Sequence, residues 1–143
     1  MGSKNVLSSI YRIMVIDDER DILRVIKRGL ESDKGYSNSG AEIKFIVDTY
    51  SDRESALQSF HNHPDGYYDL IVSDLRMKKS GFELYEKMRE KNPTLKFAFL
   101  TAYDNVDRQR FANNLSDMDP NIIIRKPITI SKLRPRLIRI ICK

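Results

Sequence analysis

Short apolar runs alternate with amphipathic runs five times along this chain of 143 residues. The apolar runs have the length of strands, at 12–16, 44–50, 69–74, 95–101 and 121–125. Each is followed by a segment with helical character, at 21–30, after Ser51, at 82–91, at 105–115 and at 130–142. Strands that alternate with helices pair in parallel, because each helix carries the chain back across the sheet. The alternation therefore predicts an α/β fold with five strands and five helices.

An open, doubly wound sheet is the arrangement that this alternation favours. Uninterrupted apolar stretches such as I-I-I at 122–124 indicate strands that are buried on both faces. A chain of this length is too short for an eight-stranded barrel. We therefore predict a flavodoxin-like, five-stranded parallel sheet with the order 2-1-3-4-5. The polar stretch 33–40 is predicted to be a loop, and Ser51 with Glu54 resembles a capping box.

The length and composition fit a single domain that buries one hydrophobic core. Hydrophobic residues make up 41% of the chain, yet no apolar stretch approaches the roughly 18 residues of a membrane helix. Cys142 is the only cysteine, so no disulfide can form within the chain, and a cytoplasmic location is expected. We predict one domain over 11–143, preceded by 1–10 as a tail or as residues left by cloning.

The positive charge of the chain lies mainly at its C-terminal end. The net charge is +5, and 7 of the 25 basic residues follow Asp119, whereas no acidic residue does. The predicted last helix carries an apolar stripe of Leu133, Leu137, Ile140 and Ile141, opposite a basic face of Lys132, Arg136, Arg139 and Lys143. Two interpretations stay open: a solvated face, or a surface for an acidic partner protein. DNA is disfavoured without an output domain, because no base-reading motif is visible.

Carboxylates follow two strands that the predicted order makes neighbours. Asp17 and Asp18 follow the first strand, and Asp74 ends the third. Ligands of doubly wound sheets bind where the connections part, outside the C-terminal ends of such strands. Three carboxylates in one crevice repel one another unless a cation joins them. Oxygen ligands favour Mg²⁺, Mn²⁺ or Ca²⁺ over zinc.

Two more polar groups are predicted at the same edge of the sheet. Thr101 ends the fourth strand, and Lys126 follows the fifth. A hydroxyl, a fixed cation and a metal ion around one carboxylate suit phosphoryl transfer, with Asp74 as the nucleophile.

Five motifs together resemble the receiver domain of two-component response regulators, over nearly the whole chain. They are V-I-D-D-E at 15–19, V-S-D-L-R-M at 72–77, G-F-E-L at 81–84, L-T-A-Y at 100–103 and R-K-P at 125–127. The resemblance implies a switch that accepts a phosphoryl group from a histidine kinase or phosphotransfer protein and then changes a partner-binding surface. It also implies a phosphorylation-dependent dimer as one option, and a role other than that of a conventional enzyme.

The resemblance gives each acidic residue of the crevice a role. Asp74 is implied to be the phosphoacceptor. Asp18 and Asp74 would ligate Mg²⁺, or Mn²⁺ as an alternative, together with the backbone carbonyl of Arg76. Asp17 would act mainly through water.

The remaining implied roles concern the phosphoryl oxygens and the switch. Lys126 and Thr101 would each contact a phosphoryl oxygen, and the peptide bond before Pro127 is expected to be cis. Ile123 stands where the family carries an aromatic residue. We therefore expect Tyr103 to relay a movement of Thr101 into the next helix, against the alternative that Tyr103 is a static packing residue.

The chain also departs from the family pattern. Lys78 replaces a proline after the phosphoacceptor, and that loop is one residue short. Pro135 falls early in the last helix, where it is expected to kink the helix or delay its start. A degenerate receiver that binds partners without phosphorylation stays open as an alternative. A phosphatase of the haloacid-dehalogenase type is disfavoured, because Arg76 stands where such enzymes need a second acid.

Overall fold

The sheet contains six strands in the part of the chain that the computed structural model describes, residues 8–32, 35–36, 40–74, 81–102 and 122–142. These strands are β1 Ser8–Ile16, β2 Gly35–Tyr36, β3 Glu42–Tyr50, β4 Leu70–Asp74, β5 Phe97–Thr101 and β6 Ile123–Arg125. The described helices are α1 Arg20–Ser32, α2 Arg53–Asn62, α3 Gly81–Lys91 and α4 Ile130–Ile141. The predicted helix at 105–115 lies outside the described residues.

The order of the strands across the sheet is β2-β3-β1-β4-β5-β6. All neighbours are parallel except β2 and β3, which are antiparallel. Without β2, the order is 2-1-3-4-5, which confirms the predicted doubly wound α/β fold.

The sequence predicted neither the short strand β2 nor the first residues of β1, which begins at Ser8 rather than at residue 12 and takes in residues 8–10 of the predicted tail. Residues 33–40 were expected to form a loop, but Gly35 pairs with Ile43, and Tyr36 pairs with Glu42. A Cβ atom at Gly35 would lie 2.8 Å from the Cδ1 atom of Ile138 in α4. The absence of a side chain at Gly35 therefore lets the backbone pair with β3 while it packs against α4.

Apolar side chains cover both faces of the central strands. Alternate residues such as Ile13 and Val15 of β1 point to the cluster beneath α1 and α4. Their neighbours Met14 and Ile16 point to the opposite cluster, which α2 and α3 cover. This two-sided burial explains why the strands are continuously apolar, since neither face meets water. No helix among the described residues is long and apolar enough to span a membrane.

The start of α2 differs from the prediction, whereas the start of α4 agrees with it. Asp52, rather than Ser51, is the N-cap of α2, and its carboxylate accepts a hydrogen bond of 2.7 Å from the Ser55 amide. This hydrogen bond holds the pKa of the Asp52 carboxyl below its usual range. Helix α4 begins at Ile130 and continues through Pro135, so Pro135 does not delay its start.

The basic face predicted for the last helix is only partly exposed. Lys132 and Arg139 are exposed, but Arg136 is half-buried and donates a 3.2 Å hydrogen bond to the Ile123 carbonyl of β6. Leu133, Leu137 and Ile141 are buried as predicted, whereas Ile140 is only partly buried. Lys143 lies outside the described residues. Arg136 is therefore less exposed than the pattern of the helix alone predicts, because the strand beside it covers part of its side chain.

Side chains from α1 protect the outer edge of β3 beyond β2. The Glu31 carboxylate accepts a 2.8 Å hydrogen bond from the Val47 amide, and the Lys27 ammonium donates to the Val47 carbonyl. The Lys27 Nζ atom also lies 3.1 Å from Glu31 Oε2, so the two side chains form an ion pair. Unpaired backbone groups at a sheet edge invite pairing with another chain. The pair therefore occupies both backbone groups that Val47 presents at this edge.

We expect the double substitution Lys27→Met and Glu31→Met to expose this edge. Hydrogen exchange at the Val47 amide should become faster, and the free energy of unfolding should fall by roughly 1 kcal/mol. Light scattering should show concentration-dependent association. The control is Asp21→Met with Arg24→Met, an exposed pair on the same helix, 3.6 Å apart. Equal exchange and scattering in the two double variants would contradict the protective role.

Candidate functional site

The ends of β1 and β4 bring two carboxylates side by side. Ile16 of β1 pairs with Ser73 of β4, so Asp17 and Asp74 leave neighbouring strands at the same level. Both of these residues are buried, with an exposed fraction of 0%, while Asp18 beside them is exposed. One carboxylate oxygen from each of the three residues lies within 4.8 Å of the others. The predicted crevice of three carboxylates is therefore present in the structure.

Lys126 connects the two buried carboxylates. Its ammonium group donates hydrogen bonds of 2.8 Å to Asp17 Oδ2 and 3.1 Å to Asp74 Oδ2. Its backbone amide donates a 2.7 Å hydrogen bond to the Thr101 carbonyl, which ties the residue after β6 to the end of β5. The Lys126–Pro127 peptide bond is cis.

The charges of the site favour a protonated lysine. Burial alone would lower the pKa of Lys126, but its hydrogen bonds to Asp17 and Asp74 outweigh this and hold the pKa above its usual value. Three carboxylates and one ammonium leave an excess of two negative charges. All the donors are carboxylate oxygens, and this combination of charge and chemistry fits a divalent cation such as Mg²⁺.

Backbone groups fix the orientation of Asp17. Its Oδ1 atom accepts a 2.8 Å hydrogen bond from the Glu19 amide. Its own backbone amide donates a 3.1 Å hydrogen bond to the Tyr50 carbonyl. Lys126 occupies Oδ2, so both oxygens of Asp17 already have a partner. Sequence reasoning missed these two backbone contacts. The bond to the amide two residues ahead is the Asx-turn pattern, which an aspartate followed by a polar stretch can signal.

Of the three remaining predicted site residues, Thr101 is among the described residues, whereas Arg76 and Tyr103 are not. Thr101 ends β5 next to β4, where Leu100 pairs with Asp74, and Thr101 is buried with an exposed fraction of 5%. It therefore lies at the same edge of the sheet as the carboxylates and Lys126. Arg76 and Tyr103 fall outside the described residues.

Comparisons with known proteins identify the family of this chain. The family model for the response regulator receiver domain matches residues 13–138. The transcriptional regulatory protein CiaR of Streptococcus pneumoniae is 29% identical over 115 residues, which cover 76% of this chain and 47% of that protein. The sensor protein EvgS of Escherichia coli K12 is 30% identical over 126 residues, which cover 87% of this chain and 9% of that protein. The chain spans less than half the length of these two relatives.

Solved structures agree with the sequence matches. A response regulator receiver domain protein from Clostridium thermocellum superposes with a TM-score of 0.72 at 26% identity, over 92% of this chain and 94% of that one. The receiver domain of HemR from Leptospira biflexa gives a TM-score of 0.69 at 27% identity, over 93% and 95% of the two chains.

The order of the strands, the acidic pocket and the family match lead to one conclusion. Receiver domains are signalling modules that bind Mg²⁺ at an acidic pocket and interact with histidine kinases or phosphotransfer proteins. This chain belongs to the response regulator receiver domain family.

Proposed function

We propose that this chain accepts a phosphoryl group on Asp74 and thereby switches a surface that binds a partner. The observation that carries the proposal is the buried Asp74 carboxylate, which shares the ammonium group of Lys126 with Asp17 and lies within reach of Asp18. The donor would be a histidine kinase or a phosphotransfer protein. The chain would assist its own phosphoryl transfer without acting as a conventional enzyme.

The transfer itself requires an oxygen of Asp74 to attack the phosphorus atom of the donor. The bond between phosphorus and the donor atom breaks, and the donor leaves with the electron pair of that bond. Lys126 would exchange its hydrogen bond with Asp74 for one with a phosphoryl oxygen. Its 2.8 Å contact with Asp17 keeps the ammonium in place during this exchange. The Thr101 hydroxyl would donate to another phosphoryl oxygen.

The carboxylates supply ligands for a divalent ion. We propose that Asp18 and Asp74 hold Mg²⁺, or Mn²⁺, with the backbone carbonyl of Arg76, whereas Asp17 acts through water. Both oxygens of Asp17 accept hydrogen bonds, from the Glu19 amide and the Lys126 ammonium, and these bonds orient its carboxylate. When bound, the ion neutralises the charge on the transferring oxygens.

The switch would follow a route suited to this chain. Ile123, the residue at the position of the family's aromatic, is a partly buried aliphatic that packs on the core. A β-branched aliphatic has no ring to swing inward, so we propose that Thr101 and Tyr103 transmit the change instead. Amide spectra with and without beryllofluoride should show smaller shifts at 104–115 in Tyr103→Ala than in the wild type. Equal shifts would leave Tyr103 as a static packing residue.

The boundaries and setting of the module complete the proposal. Residues 11–143 would form most of the receiver domain, in the cytoplasm, and residues 8–10 belong to it as well, because they pair with β3 as part of β1 rather than forming a tail. Its output would pass through an acidic partner protein on the basic side of α4, and a phosphorylation-dependent dimer is a further option. The transcriptional regulatory protein CiaR supports an output outside the receiver domain. Its match to this chain covers only 47% of its length, so more than half of that protein lies outside the matched region.

Phosphorylation of Asp74 should be directly measurable. Incubation with acetyl phosphate and Mg²⁺ should add one phosphoryl group to the intact mass of the wild type. EDTA should abolish the adduct, and so should Asp74→Asn, which keeps the size of the side chain. An adduct that persists in both cases would refute the assignment of Asp74. Absence of both an adduct and beryllofluoride binding in the wild type would instead indicate a degenerate module.

Lys126→Met should slow the phosphorylation of Asp74. The loss of a positioned cation near developing charge typically reduces such a rate about a hundredfold or more. The matched control is Lys132→Met, because Lys132 is exposed on α4. Circular dichroism checks that each variant is folded before its rate is measured. A rate for Lys126→Met equal to that of the control would contradict the proposed role of the ammonium group.

A further inference from the structure

The first part of β1 extends beyond the strand beside it. Strand β1 pairs with β3 over its whole length but with β4 only from Ile13 onward. Just before Ile13, the Asp69 amide donates a 2.8 Å hydrogen bond to the Arg12 carbonyl, and the Asp69 carboxylate accepts one of 2.8 Å from the Arg12 amide. A side chain thus ends the pairing at Arg12. Among the described residues, the stretch Ser8–Ile10, which we call the free edge, therefore has a neighbouring strand on one side only.

The backbone groups at both ends of the free edge point away from β3. In a parallel sheet, the amide and carbonyl of one residue face the same neighbouring strand, and those of the next residue face the other. The Arg12 groups face β4, and the Asp17 amide, an odd number of residues further on, faces β3 through the Tyr50 carbonyl. The register of β1 with β3 has no bulge, so this alternation continues to the start of the strand. The amides and carbonyls of Ser8 and Ile10 therefore face the open side, and no described residue pairs with them there.

Side chains cover another part of the sheet edge, in contrast to the free edge. Glu31 and Lys27 bind the amide and the carbonyl of Val47 on β3. Ile10, however, has an exposed fraction of 60%. The serine and isoleucine side chains of the free edge carry no charge that would repel another strand. Exposed backbone groups without such protection form a template for pairing with another chain.

The space beside the free edge is open. A cavity of about 210 Å³ adjoins Tyr11, the residue that follows the free edge. Its lining also includes Asp69 and Lys96, which directly precede β4 and β5. The cavity thus lies where β4 would continue if it were as long as β1. Another strand therefore has room to approach the free edge from this side.

We propose that the free edge pairs, in the antiparallel direction, with the free edge of a second copy of this chain. A two-fold axis at Ser9 places Ile10 of each copy opposite Ser8 of the other. In each pair, both residues donate an amide to the carbonyl of the other, as in the hydrogen-bonded pairs of an antiparallel ladder. Every outward donor of the free edge then meets an outward acceptor, and the symmetry closes the assembly at a dimer. Because the contact is short, the dimer is weak and exchanges with the monomer.

A concentration series of the full chain, without any phosphodonor, tests this pairing. Sedimentation velocity should show the average mass rising from that of one chain toward that of two between about 10 µM and 1 mM. In the same range, NMR should show slower hydrogen exchange at the Ile10 amide. The Ser9 amide should exchange at an unchanged rate, because it already faces β3. A monomer at every concentration would overturn the proposal, as would a dimer that leaves exchange at Ile10 unchanged.

Two substitutions at Ile10 separate backbone pairing from apolar contact. Ile10→Pro removes an amide that the pairing with β3 does not use, so the monomer should keep its fold, which circular dichroism checks. The dimer would lose one hydrogen bond from each pair, and its association constant should fall about tenfold or more. The matched control Ile10→Thr keeps the amide and the branched side chain. It should associate within about threefold of the wild type, because every hydrogen bond of the dimer is retained.

The same series distinguishes this dimer from other modes of association. Equal losses of association in Ile10→Pro and Ile10→Thr would refute the backbone pairing, since apolar contact would then hold the copies together. A dimer that forms only in the presence of beryllofluoride would also refute it, because such a dimer would depend on the state of Asp74. The expected result, association of the unmodified chain, does not depend on whether Asp74 accepts a phosphoryl group.

Discussion

One ammonium group between two buried carboxylates is the interaction on which the rest of this structure depends. Asp17 and Asp74 are fully buried, and Lys126 reaches them from positions 109 and 52 residues away in the sequence. Removal of one partner from a buried ion pair typically costs about 3–5 kcal/mol, because a charge is left without compensation. The contact therefore fixes the ends of β1 and β4, together with the residue after β6, at one point.

The sign of the pKa shift gives this contact a defined pH range. The folded-state pKa of Lys126 lies above its ordinary value of 10.5. The contribution of the contact to the free energy of unfolding is therefore complete below that value. It is lost as the pH rises through the higher folded-state pKa. The ammonium stays charged at neutral pH, where it offsets one of three carboxylates and leaves the excess negative charge for a divalent ion.

Close packing at two glycines places α4 where it can support this site. A Cβ atom at Gly29 of α1 would lie 2.5 Å from the Cγ1 atom of Ile130, the first residue of α4. Arg134 of α4 donates to the Gly29 carbonyl, and Gly35 of β2 packs against the same helix. The helix is thereby held against α1 and β2 on one side. On the other side, Arg136 reaches β6, so the helix and the strand that leads to Lys126 form one connected unit.

The sequence predicts those features that follow from local pattern and chain direction. Alternating strands and helices lead to a parallel sheet, and Asp17 and Asp74 then meet because neighbouring strands end at the same edge. Contacts between distant segments leave no such pattern. Strand β2 depends on the close packing of Gly35 against Ile138 of α4. The hydrogen bond from Arg136 to the Ile123 carbonyl of β6 cannot be predicted from the pattern of α4 alone.

The sequence pattern also cannot predict the residue that caps a helix or the backbone groups that form hydrogen bonds at the site. Ser51 and Asp52 are both suitable N-cap residues, and only the backbone geometry at Asp52 decides between them. The Asp17 amide donates a hydrogen bond to the Tyr50 carbonyl. Every residue has a backbone carbonyl, so nothing in the sequence marks that of Tyr50 as the acceptor. Pattern therefore locates the carboxylates of the site but not the groups that orient them.

A thermal unfolding series with Mg²⁺ tests the central claim most directly, since an ion that binds only the folded state must raise the unfolding midpoint. The wild type is compared with Asp18→Asn, which removes an exposed carboxylate of the cluster, and with Asp21→Asn, an exposed aspartate on α1 outside the cluster. We predict that Mg²⁺ raises the midpoint of the wild type and of Asp21→Asn, and that the increase is much smaller in Asp18→Asn. An equal increase in all three proteins would contradict a metal site built from these carboxylates.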